Sequence, residues 1–400
     1  MPGQGDGSSR VSQCNCVAIF GATLGLLSLV LPWLTIRPSR LAAGDAVWLW
    51  SAIGPLLMAA FLAAWLVALR AGFEADRQRG SVIFGVAGAL LAPATLAAAG
   101  FGSTRLLEFA EAVARSSLSA GVWLGLLAAY VLVHTAARNL STRPRLRALL
   151  IWTPIVLIVV GAVGGAYSDT SLAREFAGNE GRFVQELGRH ISLSLGSVAI
   201  GTCIAIPLGI AAARSTRAER PIFVLASTIE TIPSLALFGL MIAPLSALSH
   251  AYPALREIGI RGVGTAPALI ALVLYSLLPI VHNTYVGLKE VSPAAMDAGR
   301  GMGMSRSQLA RKVEFPLAAP LIAEGVRTAT VQSVGGTVVA ALIGAGGLGH
   351  FIFQGLGQAA SDLILMGALP VIALALIVDI IMRWAIAGLT SKGLRAEAAT

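Results

Sequence analysis

Four ionisable residues sit where an apolar chain can least accommodate them. Glu230, Glu324, Arg327 and Asp379 all fall in or beside long apolar runs. A bare charge in hydrocarbon costs roughly 2.5–3.5 kcal/mol, so each must find a partner or face a polar path. Asp379 and Arg383 are four residues apart and Glu324 and Arg327 three, the spacings at which side chains on one helix meet. Ion pairs that serve structure are the expectation for both. Glu230 differs, because it lies beside Pro233, whose missing N–H frees carbonyls in the surrounding helix.

Catalytic chemistry finds less support. Gly344-x-Gly346-x-x-Gly349 matches the dinucleotide fingerprint letter for letter, but that fingerprint needs a preceding strand and a helix opening at its first turn. Here it follows an apolar run and precedes Phe351-Ile352-Phe353, so the glycines read as a tight turn or re-entry at the outer membrane face. A P-loop requires GxxxxGK[ST], and none of the three lysines stands in that frame. Cys14, Cys16 and Cys203 form no CxxC and have no nearby His pair, which argues against a disulfide framework or a zinc site. No cluster of His, Asp and Glu accumulates on one face. No catalytic residue, metal or cofactor is expected.

The elements that carry these residues follow from composition. Of 400 residues, 56% are apolar and 12% charged, with 44 glycines and a mean hydropathy of +0.79. Soluble domains carry about twice that share of charge, and no sphere of this size hides so much apolar surface. The isoelectric point of about 10.2 suggests nucleic acid at first sight. The base is nearly all Arg, however, in short runs between apolar segments, as expected for a membrane protein without a nucleic-acid partner.

Crossing about 30 Å of hydrocarbon takes roughly 20 apolar residues. Ten stretches qualify: Val17–Ile36, Val47–Leu69, Val82–Gly100, Leu118–Ala137, Leu149–Tyr167, Ile191–Ala213, Ile222–Ala243, Thr265–Leu288, Leu321–Ile343 and Leu363–Ile386. The first is too long for a signal-peptide core and is expected to stay uncleaved. With the N-terminus inside, the inner segments hold 19 Lys and Arg, including Arg10, Lys392 and Arg395, and the outer segments 9, including Arg40. That bias predicts both termini in the cytoplasm. Residues 1–167 are Ala/Leu/Gly-rich spans with almost no polar groups, and a polar linker occupies 168–189. Beyond it the spans acquire Pro207, Pro233, Pro244 and Pro279 and the ionisable residues. Residues 1–180 therefore read as an accessory region of about five spans, and 181–400 as a working core of about five.

The longest inner loop, 289–320, is the most informative. Ser292-Pro293 is a helix start, and the helix Ala294–Met302 stops at Gly303. Ser305 and Gln308 form a capping box for a second helix that breaks at Pro316. The first helix is built from Ala294, Ala295, Ala298 and Gly299, while Met296, Met302 and Met304 offer adaptable apolar contact. Such a helix suits a groove on another protein.

These residues resemble a family. ABC-importer permeases carry a cytoplasmic motif E-A-A-x3-G-x9-I-x-L-P that docks on the ATPase subunit. Asp297-Ala298-Gly299, Gly303, and Val313-Glu314-Phe315-Pro316 keep that spacing. Gly299 stands where the family has Ala and should loosen the helix. Thr231-Ile232-Pro233-Ser234-Leu235-Ala236, Leu274-Tyr275-Ser276-Leu277-Leu278-Pro279-Ile280, Asn283-Thr284-Tyr285 and Ala341-Leu342-Ile343-Gly344-Ala345-Gly346-Gly347-Leu348-Gly349 look like the permeases for glycine betaine, carnitine and choline, over roughly residues 185–390. Residues 1–167 loosely resemble the extra N-terminal spans of a longer subgroup.

The resemblance implies an all-α polytopic permease with a type-I-like ABC importer core. Implied partners are ATP-binding-cassette ATPases, a second permease subunit (identical or homologous), a periplasmic or extracellular substrate-binding protein, and membrane lipid. Energy would come from the separate ATPase. The docking residues would be Asp297, Ala298, Gly299, Gly303, Val313 and Pro316. Glu230, Pro233, Ser234, Tyr275, His282 and Asn283 are candidates for the translocation path. The family usually has Gln at Glu230 and Arg at His282, so a compensating Glu230–His282 pair is expected, with Glu230 meeting a cationic headgroup. Tyr275 and Tyr285 offer cation–π faces or plain packing. The ligand-selecting aromatic cage is expected on the binding protein. The alternative cargo is methionine, taurine or another amino-acid-like solute. An ion-coupled carrier would need inverted repeats, which the two halves lack.

Overall fold

A computed structural model of the chain describes residues 14–39, 42–108, 113–257 and 259–390. Arg10, Arg40, Lys392 and Arg395, which enter the charge bias, lie outside the described residues. The fold is all-α apart from one small sheet. Nine described helices are long and apolar enough to cross a membrane, and Cys16–Ser28 is a shorter apolar helix. The chain divides into two compact units, one comprising residues 1–178 with 358–362 and the other residues 179–357 with 363–400.

The first unit begins with α1 (Cys16–Ser28), β1 (Pro32–Arg37), β2 (Asp45–Trp48), α2 (Leu49–Ile53) and α3 (Pro55–Gly72). It continues through α4 (Arg77–Leu107), β3 (Arg115–Leu118), α5 (Ala120–Asn139), α6 (Pro144–Val163) and α7 (Ser171–Gly178). The expected span Val17–Ile36 is therefore half helix and half strand. Pro32 supplies no N–H and disfavours helical backbone at Leu31, so the chain leaves the helix and extends into β1. β1 pairs antiparallel with both β2 and β3, which satisfies its backbone groups. The second run breaks for a similar reason, since Gly54, with φ +83°, and Pro55 separate α2 from α3. Trp33 fixes the corner, donating its indole N–H to the Ser28 carbonyl at 2.8 Å and meeting Phe61 edge-on.

The connections within this unit gather at opposite ends. At one end Asn15 N–H donates to the Gly72 carbonyl at 2.9 Å, and Arg143 to Gln78 Oε1 at 3.0 Å. At the other lie the sheet and Asp169, which accepts from Thr104 Oγ1 at 2.8 Å and pairs with Arg174 at 3.1 Å. The Thr104 hydroxyl and then the Arg174 guanidinium hold the Asp169 carboxyl below the usual carboxylate range.

The second unit contains α8 (Glu180–Arg214), α9 (Thr216–Thr231), α10 (Ser234–Ala251), α11 (Ala254–Glu257) and α12 (Thr265–Lys289). After them come α13 (Pro293–Gly301), α14 (Arg306–Leu309), a π-helical segment Ala310–Glu314, α15 (Phe315–Ala340), α16 (Gly349–Gly357) and α17 (Ser361–Leu389). Its core is α8, α12 and α15, with Phe238, Ala268, Ala271, Ile280 and Val334 fully or almost fully buried. The expected span Ile222–Ala243 is not one helix. Ile232 and Pro233 adopt extended backbone and divide it into α9 and α10. The expected break at Pro316 is absent. The π-helical segment widens the turn before the proline, which then enters the first turn of α15, where no N–H is needed.

Candidate functional site

The break between α9 and α10 opens a cavity of about 330 Å³. Glu230, Pro233 and Ser234 line it from the break, Tyr275 and Ser276 from α12, and Gln332, Ser333 and Gly336 from α15. Ile232 is extended at the break, so its carbonyl stands outside the helical ladder, and Tyr275 Oη donates to it at 2.5 Å. That bond holds the Tyr275 ring on the cavity wall. Ser333 Oγ is committed to Ser197 Oγ at 2.8 Å and Ser276 Oγ donates to the Val273 carbonyl at 2.7 Å. Among the described residues Glu230 and Gln332 meet no hydrogen-bond partner, which leaves a carboxylate and an amide available to a guest. The cavity thus offers one negative charge, one aromatic face and small hydroxyl-bearing walls, a setting for a small cation.

Four of the six path candidates, Glu230, Pro233, Ser234 and Tyr275, share this cavity, while His282 and Asn283 do not. The Asn283 amide donates to the Pro279 carbonyl at 2.9 Å. His282 lies edge-on to Phe223, with ring centroids 6.0 Å apart. Phe223 is two turns before Glu230 on α9, about 10 Å along the axis. The expected Glu230–His282 pair does not form among the described residues. Tyr285 is also elsewhere, donating to Glu219 Oε1 at 2.9 Å beneath Lys289, whose Nζ is 5.6 Å from the ring centroid. Gln332, Ser333 and Gly336 complete the wall. Their signal was a polar and small patch at one-turn spacing within an otherwise apolar helix.

The loop after α12 forms a compact hairpin. Gly303, at φ +76°, turns the chain out of α13, and the Ser305–Gln308 capping box starts α14. Asp297, Ala298 and Gly301 are exposed with Ala294 along one stripe of α13, and Met302 extends it at 70% exposure. Asp297 pairs with Arg300 at 2.8 Å. Gly299 faces inward, where an added Cβ would stand 2.5 Å from Leu309 Cδ1 and 3.5 Å from Val313 Cγ2. Glycine here lets Leu309 seat against α13 and close the hairpin. Pro316 begins the helix that leaves it, and the Arg214–Glu314 pair at 2.8 Å ties this exit to the end of α8.

Two further groups organise the unit. Arg327 binds both Glu324 and Asp379, and Asp379 also accepts from Arg383 Nε at 2.8 Å, so the two expected helix pairs are fused into one network. At the other end of α15, Gly344, Gly346 and Gly347 all take positive φ and fold the chain back into α16. Glu186 and His190, one turn apart on α8, clamp that turn. Glu186 Oε2 accepts Gly347 N–H at 2.7 Å, His190 Nδ1 accepts Leu348 N–H at 3.3 Å, and His190 Nε2 donates to the Val334 carbonyl at 3.0 Å. Both side chains are buried, and sequence reasoning missed them because their partners are more than 140 residues away.

Residues 205–390 match the family described as binding-protein-dependent transport system inner membrane component, and residues 13–173 match the N-terminal domain of ABC transporter permease YehY. The glycine betaine/carnitine/choline transport system permease protein OpuCB of Bacillus subtilis is 37% identical over 217 residues, covering 54% of this chain and 93% of the relative. The osmoprotectant import permease protein OsmW of Salmonella typhimurium is 38% identical, covering 54% and 96%. Among solved structures, an inward-facing form of the MetNI methionine ABC transporter aligns with a TM-score of 0.45 at 20% identity, covering 52% of this chain and 96% of that one. The chain belongs to the ABC-importer permeases of the glycine betaine/carnitine/choline family, a multi-pass inner-membrane protein of the long form with additional N-terminal membrane helices.

Proposed function

We propose that the second unit, with a second permease subunit, forms the path of an ATP-driven importer for quaternary-ammonium osmoprotectants such as glycine betaine. The observation that carries the cargo class is the Glu230 carboxylate, without a hydrogen-bond partner among the described residues, lining the same cavity as Tyr275 at the α9–α10 break. A carboxylate and a ring face attract a cation that cannot itself donate a hydrogen bond. The relatives named for glycine betaine, carnitine and choline support the same reading. Methionine or taurine as cargo gains no specific observation.

ATP hydrolysis is assigned to separate subunits, each receiving the exposed stripe of the hairpin at Asp297 and Ala298, with Gly299, Gly303, Val313 and Pro316 setting the hairpin's shape. A binding protein delivers the cargo from outside, and both termini lie in the cytoplasm, as the Lys and Arg bias requires. Residues 1–180 are the accessory region and 181–400 the permease core. Uptake of labelled glycine betaine and choline, in cells lacking other carriers for them, tests the path. Glu230→Gln should slow uptake of the cation while leaving the chain folded and in the membrane. Unchanged rate and specificity would remove Glu230 from the path. Cysteines placed along 293–302 should crosslink to the ATPase, and labelling of that segment from the periplasmic side would reverse the orientation.

A further inference from the structure

A second cavity, in the first unit, has a different character. It is a groove of about 430 Å³ between α4, α5 and α6, reaching from Leu126 and Ile158 at one end to Arg138 and Arg147 at the other. Tyr130, His134 and Arg138 follow one another at one-turn spacing along α5, and the Tyr130 and His134 rings stack with centroids 5.8 Å apart. On the facing helix Arg147, Ile151, Ile155 and Ile158 make the opposite wall, and Pro154 sits between them. The groove is therefore graded. Its apolar end is lined by aliphatic side chains, and its basic end lies where α5 stops and α6 starts.

None of the side chains lining it is acidic. Among the described residues Arg138 and Arg147 form no ion pair, although Arg77 and Arg143 nearby donate to Asn139 and Gln78. Twelve residues of α5 separate Leu126 from Arg138, a rise of about 18 Å, which is the reach of one extended acyl chain from its headgroup. Two uncompensated arginines at a helix end, above an apolar slot of that length, complement an anionic amphiphile.

We propose that the groove between α5 and α6 is a binding site for an anionic phospholipid, its acyl chain lying along Leu126, Ile155 and Ile158 and its phosphate held by Arg138 and Arg147. The site is independent of the transport path, because it needs none of the residues assigned to the cavity or the hairpin.

The test uses the purified full chain in mixed vesicles of phosphatidylcholine and phosphatidylglycerol, with a photoactivatable group in the acyl chain of one lipid at a time. Phosphatidylglycerol should label peptides within 126–158, and unlabelled phosphatidylglycerol should compete the label away while phosphatidylcholine and glycerol 3-phosphate do not. The pair Arg138→Gln and Arg147→Gln should lower the apparent affinity about thirty-fold, the factor for losing two charges at the membrane surface. Ile155→Trp should block the slot with both arginines in place. Equal labelling by the zwitterionic lipid, competition by glycerol 3-phosphate, or no label in these helices would overturn the proposal, and each comparison can be made on the unaltered chain.

Discussion

Arg327 offers the sharpest test of how the second unit tolerates charge. It binds both Glu324 and Asp379, and its own side chain is 19% exposed, that of Asp379 21% and that of Glu324 41%. Replacing Arg327 by Met strands Glu324 within a membrane helix, whereas Asp379 keeps Arg383. Removing one partner of a fully buried pair costs about 3–5 kcal/mol, and the partial exposure of Glu324 reduces this to about 2 kcal/mol. For a unit of this size that lowers the melting temperature by about 4–8 °C. Adding Glu324→Gln to Arg327→Met removes the stranded charge and should recover at least half of the loss. Arg327→Lys should fall between parent and Met, because an ammonium cannot serve two carboxylates with a planar fork. The assay is the fraction of monodisperse full chain after stepwise heating in lipid-supplemented detergent. A melting temperature for Arg327→Met within about 1 °C of the parent, or a deeper loss on adding Glu324→Gln, would refute a stability role for the network.

Other expectations follow from single geometries. Gly303→Asn should retain most uptake, since Asn tolerates positive φ, whereas Gly303→Val carries a backbone penalty of about 1–2 kcal/mol and should weaken pull-down of the ATPase. Normal pull-down and uptake by the Val variant would detach the hairpin's turn from docking. Glu186→Ala leaves the Gly347 amide buried without an acceptor and should cost about 1–3 kcal/mol in heat stability, largely restored in Glu186→Gln. An equal loss in both variants would count against the clamp. The Asp169 carboxyl titrates below its unfolded value, so its contribution is present above the usual carboxylate range and fades as pH falls through the folded value. The melting difference between parent and Asp169→Asn should therefore be small but positive near neutrality and vanish in acid. A difference that grows on acidification would contradict this.

The membrane character, most of the helices and the hairpin were legible in the sequence because they rest on local chemistry. A long apolar run in hydrocarbon satisfies its own backbone most simply as a helix, and Gly303 and the Ser305–Gln308 box act within one turn of themselves. The prolines were visible too, but not their effect. Pro32 ended a helix and began a strand because β2 and β3 were there to pair with it, Pro233 split a span, and Pro316 was absorbed by a π-helical segment. The same residue type gave three outcomes because each depended on its surroundings: β2 and β3 at Pro32, the Tyr275 hydroxyl on the Ile232 carbonyl beside Pro233, and an adjacent π-helical turn at Pro316.

Charge divides in the same way. Spacing alone paired Glu324 with Arg327 and Asp379 with Arg383, since helix neighbours three or four residues apart must meet. Only the Arg327–Asp379 bridge between α15 and α17 joined the two pairs, and only the direction of α9 separated Glu230 from His282. Glu186 in the polar linker and His190 just beyond it look ordinary until the glycine turn, some 160 residues later, brings its amides to them. Sequence fixes what each helix is made of. Which faces meet, and hence which polar groups stay free for a cargo, is decided by long-range packing that no local pattern encodes.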